Sequence, residues 1–257
     1  MKRFVLALVV VTSVSAACGS DSQDVTVPST STSSSDSFET FAGSMVPQGS
    51  TFYSFPVTTA GTVSVSLSSL MANTSGPASS DVMRLGLGVP LGTGCSVTSS
   101  VDTTPGLTAQ LTVQVNPDVY CVNIADVGNL TAPVNFTIRI GQNLTSSSST
   151  STAATETFAS LVYIGGTAGR TFAASQAGTV TLTLTSVTPS TIVGLGVGIP
   201  GASGGPPCLL SSSVDATPGS APHLTVAVDA GTYCVQVYDS GHVNSAGVVF
   251  SVTINHP

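Results

Sequence analysis

The chain has 257 residues, of which only 7% are charged; it contains no Trp and carries a formal net charge of −7. Lys2 is the only lysine, so without an N-terminal leader twelve carboxylates face three arginines, a net of about −9 by side-chain count. Phosphate neutralisation needs clustered Lys and Arg, so nucleic acid and electrostatic docking on anionic lipid are excluded as partners.

The N-terminus reads "MKRFVLALVVVTSVSAACGSDSQ". Two cations precede an apolar run, Phe4 to Val14, that is too short to span a bilayer, which is the layout of an export signal. "SAAC" resembles a bacterial lipobox, with Ser15 where a larger aliphatic residue is usual, and this implies a lipid-modified Cys18 after cleavage. The alternative is an ordinary secretory signal with an incidental cysteine. Membrane attachment through Cys18 is the expected partner interaction. Gly19, in place of an Asp, favours the outer membrane in a cell that has two. Residues 19–37 are Ser/Thr-rich and without periodicity, so a disordered tether is expected.

Residues 38–142 and 156–257 resemble each other, with a Ser/Thr-rich linker, 143–155, between them. "TTAGTVSVSL" at Thr58 returns 117 residues later as "SQAGTVTLTL", and "SSVDTTPG" returns 113 later as "SSVDATPG". "LGVP" at Leu87 and "VGIP" at Val197 differ by 110, which requires seven extra residues in the first copy and then three in the second. Insertions of this kind belong in loops. Two tandem copies of one domain are therefore expected.

Within each copy the apolar period is two. Val63, Val65 and Leu67 alternate with polar residues, as do Leu111, Val113 and Val115, and Val134, Phe136, Ile138 and Ile140. Alternation means antiparallel strands with one buried face. Ala60-Gly61, Thr104-Pro105-Gly106 and Asn116-Pro117-Asp118 mark turns between them. Seven or eight strands per hundred residues predict an all-β fold, two tandem antiparallel β-sandwiches.

The segments "F-x-V-x-x-A-G-T-V-x-V-x-L" from Phe55 and "D-A-G-T-Y-C-V-Q-V-Y-D" from Asp229 are similar to those of the pre-peptidase C-terminal domain. That family consists of small jelly-roll-like sandwiches on secreted bacterial proteins, often appended to peptidases. The resemblance spans both copies and implies the fold more than an activity. Cys121 and Cys234 depart from the pattern, and no peptidase domain accompanies the copies.

Of five cysteines, Cys18 is assigned to lipid, leaving Cys95, Cys121, Cys208 and Cys234. Four cysteines allow three pairings, and only Cys95–Cys121 with Cys208–Cys234 treats both copies alike. In "YCVQV" alternation sends Tyr233, Val235 and Val237 inward and Cys234 outward, so the bridge is expected on the outer face of the sheet. Zinc ligation would need closer spacing.

Asp102, Asp126, Asp215 and Asp239 recur at matched positions. They are candidate calcium ligands, although Asp before a glycine turn has a sufficient structural reason. Calcium is the one cofactor considered; otherwise none is expected. For sugar stacking, alternation leaves Tyr53, Tyr163 and Tyr238. His223, His242 and His256 occur only in the second copy, and no nucleophile–base–orienter set stands out, so an enzyme is not expected. The function implied is a non-catalytic, lipid-anchored envelope protein acting as a binding, adhesion or spacer module, with a protein or polysaccharide ligand. A calcium-dependent module is the alternative, and an enzyme with an unrecognised site a weaker one.

Overall fold

The computed structural model describes residues 38–72, 76–142, 153–202 and 207–257. Cys18, the tether and most of the linker lie outside them. Each repeat contributes eight strands. Repeat 1 has β1 (Phe38–Met45), β2 (Ser50–Val57), β3 (Gly61–Met71), β4 (Met83–Leu91), β5 (Gly94–Thr103), β6 (Leu111–Val115), β7 (Asp118–Asp126) and β8 (Val134–Gln142). Repeat 2 has β9 (Ala154–Val162), β10 (Thr167–Ala174), β11 (Gly178–Thr188), β12 (Val193–Pro200), β13 (Cys208–Ala216), β14 (Leu224–Val228), β15 (Gly231–Tyr238) and β16 (Val248–His256). The second repeat thus begins two residues earlier than the sequence boundary at 156.

The strands of repeat 1 form two four-stranded antiparallel sheets, β1-β8-β3-β6 and β2-β7-β4-β5. This is jelly-roll order. Repeat 2 repeats it strand for strand, as β9-β16-β11-β14 and β10-β15-β12-β13. The alternating residues do what their period requires. Val63, Val65, Leu67, Ile138 and Ile140 are buried in the first sandwich, and Val180, Leu182, Leu184, Val252 and Ile254 in the second.

Both repeats also bulge at equivalent places. The β3–β8 register slips between Leu67 and Ser69, and the β11–β16 register between Leu184 and Ser186. A bulge leaves ladder groups unpaired. In repeat 1 the Leu67 N–H donates to Gln110 Oε1 at 2.7 Å. In repeat 2 the Leu184 N–H donates to His223 Nδ1 at 3.1 Å, so the ring hydrogen sits on Nε2 and is given to the Thr217 carbonyl at 2.8 Å. His223 does in one copy what a glutamine does in the other.

The two sandwiches are joined by a seam that the linker sequence does not suggest. The outer face of β3 lies on the outer face of β12 and β13. Ser69 Oγ donates to the Leu210 carbonyl at 2.8 Å, Ser211 Oγ donates to the Ser68 carbonyl, and the Ala78 N–H donates to Ser213 Oγ at 3.0 Å. Met71 packs with Leu210, Tyr238 and the Cys208–Cys234 pair in a small apolar cluster. Leu107, from the β5–β6 loop of repeat 1, is buried within the core of repeat 2. Its carbonyl accepts the Asp229 N–H, and the Asp229 carboxylate accepts the Ala109 N–H at 3.0 Å. Arg139 of β8 lies over the Phe38 ring at 3.7 Å and reaches towards the Tyr233 ring at 5.6 Å, a cation–π contact across the seam.

Ser220 stands in repeat 2 where Leu107 stands in repeat 1. Leu107→Ser is expected to cost about 2–4 kcal/mol, the range for emptying a buried leucine site. Calorimetry should show a single unfolding transition splitting into two.

Candidate functional site

The most distinctive local chemistry is the strap on the outer face of one sheet in each repeat, β2-β7-β4-β5 and β10-β15-β12-β13. Cys95 and Cys121 are bonded, with Cα atoms 5.9 Å apart, and Cys208 and Cys234 are bonded at 5.8 Å. Yet β4 lies between β5 and β7, and β12 between β13 and β15. Strands two apart in a flat sheet are about 9.5 Å from each other.

The difference is made up by a bulge. Register slips between Leu87 and Gly88, and between Val197 and Gly198. There β5 and β13 stay paired with β4 and β12 but shift by a residue and fold across them. The Ser96–Val97 backbone passes over Gly88 and the Leu209–Leu210 backbone over Gly198, with no room for a Cβ at either glycine. The glycines of "LGVP" and "VGIP" are thus the seats over which the disulfides are drawn. Cys208 is the first residue of β13 rather than part of the preceding loop.

In repeat 2 this strapped surface is covered by repeat 1. Cys208 and Cys234 are both fully buried, and the Tyr238 ring occupies the position of a Cβ on Gly194. Gln236 is buried beside them, with both amide atoms unpartnered among the described residues, a costly group in an otherwise satisfied seam. In repeat 1 the corresponding face is open. Arg84 and Asp102 form an exposed ion pair at 2.7 Å where repeat 2 has Gly194 and Asp215. The Arg84 hydrogen bond holds the Asp102 carboxyl below its usual range. At this exposure the pair adds little to stability.

Asp126 and Asp239 are caps. Asp126 Oδ1 accepts the N–H groups of Gly128, Asn129 and Leu130, and Oδ2 accepts that of Gln48 at 2.7 Å. Asp239 Oδ1 accepts from Gly241, His242 and Val243, and Oδ2 accepts from Gly165 at 2.9 Å. Each carboxylate ties two loops at one end of its sandwich. The Gln48 N–H leads in lowering the Asp126 pKa. For Asp239, burial pushes the other way and is outweighed by the four N–H groups. Asp215 and Asp239 both line a cleft of about 490 Å³ at the seam, with Ala78, Ser213, Tyr238 and Ser240. Among the described residues, no three His, Cys, Asp or Glu side chains gather as a metal site.

Of the three tyrosines left for sugar stacking, Tyr238 is sealed under repeat 1 and is removed from that role. Tyr53 stacks on Phe41 and donates to Glu39 Oε1, and burial, then that carboxylate, push its pKa up to about 12. Tyr163 is 57% exposed, with one edge of its ring against Gly247. His242 lies near Ser240 at 3.3 Å, and His256 meets Glu156 at 3.3 Å, a carboxylate already paired with Arg170. The three histidines therefore serve separate local contacts.

No known family's sequence pattern and no curated protein matches the chain. Several solved structures show a distant likeness to the chain. The exported protein XepA of PBSX is 11% identical over 85% of each chain, with a TM-score of 0.29. A triple jelly-roll turret protein of an archaeal virus is 12% identical over 84% of this chain and 58% of its own, at 0.24. A Paenibacillus xanthan lyase is 15% identical over 90% of this chain and 25% of its own, at 0.23. Likenesses at this level carry no argument about function.

Two outcomes follow from the strap and the caps. Gly88→Ala should leave Cys95 and Cys121 titratable as free thiols in unreduced protein, with loss of the roughly 3–4 kcal/mol that a loop of this length gains from closure. The capping carboxylates have folded pKa values below their unfolded ones. Their stabilisation is therefore present above about pH 4 and is lost as the pH falls through the folded values. The melting temperature should drop in acid, and it should drop less in Asp126→Asn/Asp239→Asn.

Proposed function

We propose that the chain is an exported, lipid-anchored cell-envelope protein whose two sandwiches act as one rigid, non-catalytic module. In this reading it presents a binding or adhesion surface to a protein or polysaccharide, or holds such a partner at a set distance from the membrane. The observation that carries the reading is the seam. A side chain of one repeat buried in the core of the other makes a stiff body rather than two beads on a string. A stand or spacer needs that stiffness. The paired disulfides favour export, because such bonds persist in oxidising compartments. The lipobox-like "SAAC", the Ser/Thr-rich tether and the resemblance to the pre-peptidase C-terminal domain supply the rest, with Gly19 favouring the outer membrane in a cell that has two. Multiple acyl chains on Cys18 give stable attachment, which one chain alone does not.

The test is to isolate the mature chain from its native envelope. Mass spectrometry of the N-terminal peptide should show acylated Cys18, and an unmodified cysteine there would overturn the anchoring. Capture from solubilised envelope should recover a protein or glycan in stoichiometric amount, and turnover of an envelope polymer would overturn the non-catalytic reading. A melting temperature raised by calcium and lowered by chelator would favour the calcium-dependent alternative instead.

A further inference from the structure

The end of repeat 1 at which the tether arrives is also an end at which apolar side chains stand in solvent. Phe38 lies opposite Gly141, and the neighbouring Gln142 side chain donates to the Pro56 carbonyl at 3.1 Å, joining the end of β8 to the end of β2. Val57 lies opposite Asp118, and the β4–β7 register carries the last residues of β4 to the same level. There Leu91, at the β4–β5 turn, is 71% exposed, Val119 46% and Val89 39%. The hairpin from residue 86 to 101 contains no charged side chain, and Asp118 lies at the same end, opposite Val57.

Among the described residues, the equivalent tip of the second repeat differs. Gly201 stands for Leu91, Thr232 for Val119, and Ile199, in the place of Val89, is buried. Two copies that agree in topology and bulges thus differ at the tip, and the apolar one belongs to the copy next to the tether. Val46 and Ile164 are exposed at turns elsewhere, but at this tip three apolar residues are exposed at the level where the tether enters, which is what a contact site on that side requires.

We propose that the β4–β5 tip of repeat 1 rests in the headgroup–acyl boundary of the membrane that holds Cys18, so that the protein stands on the bilayer by this end. The proposal depends on the lipid anchor of the preceding subsection. Twenty residues lead from Cys18 to Phe38 and cannot reach further than roughly 70 Å. A tether of that length keeps the tip near the surface, where a contact too weak to bind alone is sustained. The net negative charge offers no attraction to anionic lipid, so the contact comes from apolar burial.

The absence of Trp from the sequence makes the test direct. The lipidated full-length mature chain is reconstituted into phosphatidylcholine vesicles as Leu91→Trp and, separately, as Ile164→Trp. Ile164 is 61% exposed in the β9–β10 turn, which is joined through Asp239 to the end of β15 that meets Met71, at the end of β3 away from the tether. Leu91→Trp should emit at shorter wavelength on vesicles than in detergent-free buffer without lipid anchor, and lose emission to brominated acyl chains; Ile164→Trp should do neither. Flotation reads the anchor separately and should be lost in Cys18→Ser. Vesicle-bound protein with an unshifted, unquenched Leu91→Trp, or with both positions quenched alike, overturns the tip contact and leaves the anchor standing. An unsubstituted chain that does not float overturns both.

Discussion

The arrangement depends on the burial of one repeat's surface against the other, anchored at one flank by Leu107. Its side chain completes the core of repeat 2, and its backbone forms a short parallel bridge to Val228. Around it, serines replace what would otherwise be a solvated face. Ser68, Ser69 and Ser211 are small enough to let two sheets approach and polar enough to bond each other's carbonyls. Buried backbone groups that found no partner would cost more than the contact returned. The seam is therefore narrow in its requirements: short hydroxyl side chains in the middle, Met71 and Leu107 at the flanks.

The receiving surface exists because of two glycines. Gly198 allows β13 to fold over β12, which places Cys208 within bonding distance of Cys234 and sets Leu210 on top of the sheet. Gly194 then admits the Tyr238 ring beside it. The strap and the seam are one construction in repeat 2. Repeat 1 has the strap without the seam: Val97 and Ala125 replace Leu210 and Tyr238, and the Arg84–Asp102 pair occupies the open face. Donor features belong to the first copy and acceptor features to the second, so the contact closes within one chain.

The sandwiches, the repeat and the disulfides were legible in the sequence because each leaves a periodic or paired signal. Val63, Val65 and Leu67 alternate, and the cysteines recur at equal spacing. The seam was not legible by those rules. The polar residues alternating with Val63, Val65 and Leu67 read as a wet face and Tyr238 as an outward aromatic, and Leu107 carries no periodic signal. The signal that marks them is a difference between copies: Leu107 against Ser220, Met71 against Thr188 and Tyr238 against Ala125, each an apolar group in an outward or loop position of one copy alone. The capping role of Asp126 and Asp239 was legible from the glycines that follow. The role of His223 was not, because nothing local indicates that a ring nitrogen stands in for the amide of Gln110.

A rigid pair has a direct signature in solution. Backbone residual dipolar couplings of the weakly aligned protein should fit a single alignment tensor for residues 38–142 and 154–257 in the orientation set by the Leu107 contact. Two tensors of different magnitude or direction would mean that the repeats move independently, and would contradict the account.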